Sequence, residues 1–257
     1  MTSVDAVPAA TGTKLRRYNL VMGVLHAVQG VAVVVLATDF TLPVVATFLS
    51  GIPGVDDPEL TPVMDVNLAW GVAAFLLLSA LAHFLIASPG LYERYITGLN
   101  HGRNYGRWIE YSVSSSLMIV LIALLVGVAD LAALVALAGV NASMILFGLL
   151  QEKYESPGKK ASLLPFWLGC LAGIVPWIAI TLYLLTPGVE ASPPGFVYGI
   201  FFSLFLFFNS FAVVQYLQYR QIGKWRSYVY GESTYILLSL IAKSLLAWQI
   251  FGGTLAG

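Results

Sequence analysis

One lysine, Lys243, sits in the middle of the last long apolar stretch of this 257-residue chain, Thr234–Phe251. Holding an ammonium near the centre of a bilayer costs about 2.5–3.5 kcal/mol or more, so a lysine at that depth is there for chemistry unless it snorkels out. From mid-helix its stem is too short to reach either surface. A desolvated amine is driven towards its neutral, nucleophilic form and condenses with a carbonyl to give a Schiff base. Once protonated, that nitrogen needs an anion close by. Glu110, in Arg107-Trp108-Ile109-Glu110-Tyr111-Ser112, is the only acid that reads as lying well inside an apolar stretch. It is the expected counterion; the plainer alternative is an interfacial acid paired with Arg107 one turn back. Ser239, one helical turn before Lys243, is placed to hydrogen-bond the same nitrogen, although serine also packs between membrane helices for its size alone.

Further polar residues occupy depths where apolar ones cost less. His26 and Gln29 lie in the first apolar stretch, Ser79 and His83 in the second. They are expected to converge on Glu110 around a small proton-holding cavity edged by Arg107 and Trp108, where a histidine can park a proton. The competing possibility, a histidine satisfied by one helix–helix hydrogen bond, stands for each taken singly. A zinc site is not expected: His26, His83 and His101 are the only histidines, none is spaced to form a ligand pair, and catalytic zinc usually takes three protein ligands. No glycine-rich phosphate loop, nucleophile elbow or carboxylate pair points to an enzyme.

The elements that must hold these groups are membrane helices. Hydrophobic residues make up 58% of the chain, charged ones 10%, and the mean hydropathy is +0.83, against roughly 25% charged in soluble domains. Zero net charge argues against nucleic acid as a partner. The lone cysteine, Cys170, allows no disulfide within the chain. Seven stretches approach the roughly 20 residues a spanning helix needs: Tyr18–Ala37, Val66–Ala87, Trp108–Val128, Leu131–Leu150, Leu163–Leu185, Phe196–Tyr219 and Thr234–Phe251. Breakers separate them, as in Ser88-Pro89-Gly90, Ser156-Pro157-Gly158, Thr186-Pro187-Gly188 and Ser192-Pro193-Pro194-Gly195. The polar tail 1–14 does not read as a cleavable signal.

Twelve of the thirteen Lys and Arg residues fall in the tail or in alternate loops on one side: Lys14, Arg16, Arg17, Arg94, Arg103, Arg107, Lys153, Lys159, Lys160, Arg220, Lys224 and Arg226. The opposite loops carry Asp39, Asp56, Asp57, Glu59, Asp65, Asp130 and Glu190 instead. The bias puts the N-terminus in the cytoplasm and the C-terminus outside. Seven helices with a lysine in the last point to a covalently held retinal. Aromatic residues of the fifth to seventh stretches, Trp177 and Phe208 among them, would clamp its polyene, and Pro176 would bend the fifth helix.

The inward N-terminus is uncommon among seven-helix proteins, and the chain resembles the heliorhodopsins from Lys14 to Phe251. The segment Arg107–Ser112 with Ser114-Ser115-Ser116-Leu117-Met118 looks like their third helix, and Ser239-Leu240-Ile241-Ala242-Lys243 like their Schiff-base segment. The resemblance implies Lys243 as the attachment point and Glu110 as counterion. It also implies His26 and His83 in the cytoplasmic cavity, and Tyr111, Ser114, Asn141, Met144, Gly148, Phe208 and Gln215 around the cofactor. All-trans retinal isomerised to 13-cis by light, a slow photocycle, homodimers and a two-stranded β element in the loop 38–65 come with it.

The expectation is a light-sensing all-α protein of the cell membrane, its retinal-binding bundle spanning 15–252, that signals to an unknown partner. The alternative is a light-driven or light-gated proton transporter. Against it, the third helix offers Ser114 and Leu121 where an outward pump keeps a hydroxyl and a second carboxylic acid, and Ser239 stands where pumps carry another aspartate.

Overall fold

The computed structural model describes residues 6–154, 161–185 and 193–256. Ser156-Pro157-Gly158, Thr186-Pro187-Gly188, Lys159, Lys160, Glu190 and Ser192 lie outside these residues. Eight α-helices and two strands run α1 (Ala9–Leu36), β1 (Thr41–Phe48), β2 (Glu59–Asn67), α2 (Leu68–Ala87), α3 (Pro89–Asn100), α4 (Tyr105–Leu125), α5 (Leu131–Tyr154), α6 (Leu164–Leu185), α7 (Gly195–Tyr219) and α8 (Tyr228–Ile250). All but α3 are long and apolar enough to cross a membrane. In lipid the backbone must bond within its own segment, which makes helix the one choice for such runs.

Helices α1, α2, α4, α5, α6, α7 and α8 follow one another around the bundle, and α4 is the most enclosed. Small residues set the closest approach. A Cβ on Gly23 of α1 would lie 2.8 Å from the Phe84 ring of α2, and one on Gly30 would lie 3.1 Å from Leu77. Backbones packed this closely gain van der Waals contact, which drives helix association in lipid. Pro176 lies inside α6, whose helix runs on through it.

The helices overrun the apolar stretches. α1 begins at Ala9, α5 continues to Tyr154 and α8 starts at Tyr228, so Glu152 and Glu232 are helical and buried. Glu110 is therefore not the only acid inside the bundle. α3 is an amphipathic helix absent from the sequence reading; Tyr95 and Leu99 pack with Leu15 and Tyr228. The strands of the long loop pair antiparallel from Thr41↔Asn67 to Phe48↔Glu59, with a bulge between Val44 and Val45. There the ladder turns to the bundle, and Val45 N donates to Ala129 O at 2.9 Å.

Burial is divided by chemistry. The half nearest the hairpin is apolar, with Val72, Phe75, Leu76, Ile119, Ile122, Ile180, Leu204 and Leu246 tightly enclosed. The half nearest the N-terminus buries Asn19, His26, His83, Asn104, Arg107, Glu152 and Glu232. Replacing Gly23 by leucine is expected to force α1 off α2 and lower the thermal unfolding midpoint of the detergent-solubilised protein by several degrees. An unchanged midpoint would mean that the α1–α2 contact carries little of the stability.

Candidate functional site: a buried lysine–glutamate pair at the end of an apolar cavity

Lys243 faces α4 and α2 from the middle of α8. Its Nζ donates to Glu110 Oε1 at 2.7 Å and to Ser79 Oγ, while Ser79 Oγ donates to the same carboxylate oxygen at 2.7 Å. The Lys243 side chain is 5% exposed and that of Glu110 11%, so water screens the pair little. The Tyr111 ring lies 5.1 Å from Nζ, and its hydroxyl donates to the Tyr235 carbonyl at 2.9 Å. A pair so enclosed is held less by net attraction than by the penalty of stranding either charge.

Arg107 does not pair with Glu110. Its Nη2 meets Glu152 Oε1 at 2.5 Å and its Nη1 bonds Glu232 Oε2. The guanidinium lies 4.2 Å from the Tyr235 ring and 4.8 Å from the Trp108 ring. Asn104, which caps α4, also serves both acids: its backbone N–H reaches Glu152 at 2.8 Å and its amide reaches Glu232 at 2.8 Å. This cluster escaped the sequence reading, because both acids lie just beyond the apolar runs and nothing local marks them as buried.

His26 and His83 stack at 5.6 Å, with ring planes 14° apart. His83 Nδ1 is 2.7 Å from Asn19 Oδ1, whereas both nitrogens of His26 are buried without a partner among the described residues. Gln29 does not join them; its Oε1 accepts from Trp248 Nε1 at 2.9 Å. Among the described residues no group of His, Cys, Asp and Glu could hold a metal ion.

A cavity runs from Lys243 between α4, α5, α6 and α7; concave, mostly apolar sites between helices of a bundle are where small ligands bind. Trp108, Tyr111, Ser114, Met144, Gly148, Phe208, Gln215 and Ser239 line it. So do Phe166 and Phe211, two of the aromatic residues of the fifth to seventh stretches, and Met118 and Cys170, which had carried no assignment to it. Asn141 and Trp177 stand behind the wall. The Asn141 amide is spent on α4, donating to Ser115 Oγ at 2.8 Å and Ser116 Oγ at 3.1 Å. Trp177 packs edge-on against Phe208 at 5.4 Å, beneath the lining.

The heliorhodopsin family model matches residues 15–255. The chain belongs to the heliorhodopsin family. Among solved structures, a light-driven proton pump, LR (Mac), from Leptosphaeria maculans aligns with a TM-score of 0.61 over 94% of this chain and 96% of the pump. At 17% sequence identity that likeness shows the shared seven-helix fold and nothing of the activity. No curated protein matches the chain. A heliorhodopsin implies a retinal chromophore, and the cavity suits one. Its wall is mostly apolar, and an amine stands at one end. Ser239 Oγ and Ser114 Oγ, also on its wall, are buried, Ser239 near Tyr111 and Ser114 near Glu110. A Cβ on Gly148 would lie 2.4 Å from the Trp108 ring, so glycine is what lets that ring stand beside the cavity.

Breaking a buried ion pair from one side costs about 3–5 kcal/mol, whereas replacing both partners is often neutral. Lys243→Met and Glu110→Gln are each expected to lower the unfolding midpoint of the retinal-free protein, and the double variant to recover most of the loss. Additive losses in this cycle would show that the pair is uncoupled.

Proposed function

We propose that the protein is a light-sensing retinal receptor of the cell membrane, with the cofactor bound covalently through Lys243 and with Glu110 as its counterion. The observation that carries this reading is a single amine, buried mid-bundle at the end of an apolar cavity and answered by one carboxylate. When bound, retinal supplies visible-light absorption and a light-driven change of double-bond geometry, and its aldehyde condenses with the Lys243 amine with release of water. Glu110 balances the positive charge at Nζ, and Ser79 fixes the carboxylate orientation through the hydrogen bond it donates. Ser239 offers a hydroxyl on the Lys243 side of the cavity. His83, oriented by Asn19, and His26 stacked on it form the acceptor for a proton displaced from Nζ. Trp108, Met144, Gly148, Phe208 and Gln215 shape the sleeve and limit the cofactor's freedom.

Signalling is favoured over pumping. Among the described residues, Glu110 is the one carboxylate bonded to Lys243, and buried Leu121 occupies the third-helix place where a pump keeps its second acid. A vectorial pump needs a proton donor and a proton acceptor on opposite sides of the nitrogen. The basic residues put the N-terminus, α3 and the histidine pair on the cytoplasmic side, so the receptor's output would face a cytoplasmic partner. As the family resemblance implies, the protein would act as a homodimer.

The deciding experiment is an absorption spectrum of the membrane-expressed protein given all-trans retinal, beside Lys243→Ala. A visible band is expected only with Lys243; a band of equal strength in the alanine variant would end the reading. In Glu110→Gln the band is expected to shift to the red or the nitrogen to deprotonate at lower pH, since the cation loses its anion. An unchanged spectrum and titration would remove Glu110 from that role. Photocurrents in membranes that hold the protein would favour the transporter instead.

A further inference from the structure

The cluster at the N-terminal end of the bundle holds one guanidinium and two carboxylates. Arg107 comes from α4, Glu152 from α5 and Glu232 from α8, and they are 5%, 1% and 2% exposed. Among the described residues, the other titratable groups facing it are three tyrosines: Tyr95 from α3, and Tyr228 and Tyr235 from α8. With both acids ionised, the cluster would keep an uncompensated negative charge buried in the protein interior, which is strongly unfavourable. We propose that Glu232 carries a proton in the resting protein, so that Arg107, Glu152 and Glu232 together form a buried site for a single proton.

Hydrogen bonding decides which acid holds it. Glu152 is surrounded by donors whose direction is fixed. Arg107 Nη2 and the Asn104 backbone N–H cannot accept. The Tyr228 hydroxyl receives Arg107 Nη2 at 3.3 Å, so its own hydrogen goes to Glu152 Oε1 at 2.7 Å. Glu152 is thus held as the carboxylate. Glu232 differs on one side. Its Oε2 takes Arg107 and its Oε1 takes the Asn104 amide, but its third partner, the Tyr95 hydroxyl at 3.1 Å, can equally well accept. With a proton on Oε1, Glu232 donates to Tyr95 Oη, and the tyrosine hydrogen turns away from the acid.

Two polar atoms of the cluster, Arg107 Nε and Tyr235 Oη, are buried without a hydrogen-bond partner among the described residues. Such atoms suit a site that exchanges its proton through a bound water. The proton also has neighbours worth informing. Tyr95 belongs to α3, and Asn19, which lies against its hydroxyl, reaches His83 at 2.7 Å, so one hydroxyl connects the site to a surface helix and to the histidine pair.

The test is infrared spectroscopy of the full-length protein in lipid vesicles, in the dark at neutral pH, with and without exchange into heavy water. A protonated-carboxyl band is expected in the wild type and is lost in Glu232→Gln, where the amide reproduces the shape and donor of the protonated acid. Tyr95→Phe removes the acceptor and moves the band to higher frequency, while Tyr228→Phe leaves it in place. Should Glu232→Gln fail to fold, the two tyrosine variants still locate the proton. A wild-type spectrum without such a band overturns the proposal. So does a band that survives Glu232→Gln, or one that moves in Tyr228→Phe and not in Tyr95→Phe. None of these readings needs retinal, so failure here leaves the assignment of Lys243 untouched.

Discussion

The ammonium of Lys243 cannot stand alone where it is, and much of the bundle answers that one fact. Glu110 has to come from α4, which makes α4 the helix the others surround. Ser79 has to come from α2, and it donates to the carboxylate while accepting from the amine. Tyr111 spans the gap to the α8 backbone at Tyr235, just over two turns before the lysine. Three helices are thus fixed in depth and rotation by groups that would be costly to leave unpaired. The apolar cavity begins where that polar knot ends.

A second knot lies towards the N-terminal end, built on the same logic with different chemistry. A guanidinium offers donors in a fixed plane and can bridge two carboxylates; an ammonium could not hold both in that geometry. Arg107 accordingly joins α4 to α5 and α8 at once, with aromatic faces of Trp108 and Tyr235 covering it. Only two residues separate Arg107 from Glu110 on α4, so the two charge systems share a backbone turn and cannot move independently.

What the sequence discloses follows from how far each signal reaches. Apolar run length is local, and all seven crossing helices were legible, as were Lys243 and Glu110 as residues out of place in their surroundings. Burial of Glu152 and Glu232 depends on Arg107, more than forty positions from the one and more than a hundred from the other, so their own neighbours give no hint of it. The strands β1 and β2 contain Pro43 and Pro62, which ordinarily argue against a sheet. A two-stranded ribbon consists of edges only, so each proline can turn its missing N–H outward; the residues alone hid the pairing, which the family resemblance implied and the structure bears out. Helix α3 is short and moderately polar, and its docking rests on Tyr95 and Leu99 finding Leu15 and Tyr228.

The hairpin meets the bundle at the connection between α4 and α5, through the Val45–Ala129 hydrogen bond and a bridge to Asp130. A Gly127 backbone at φ +93° shapes that turn. The far end of the central helix is therefore clamped from outside the bundle, and the tightly packed apolar half beneath it has little room to rearrange. Any displacement that starts at Lys243 meets a fixed pivot in that direction and, in the other, a polar half held by hydrogen bonds that can exchange partners. The ribbon then works as a counterweight does on a beam: it does no chemistry, yet by immobilising one arm it determines which arm can swing.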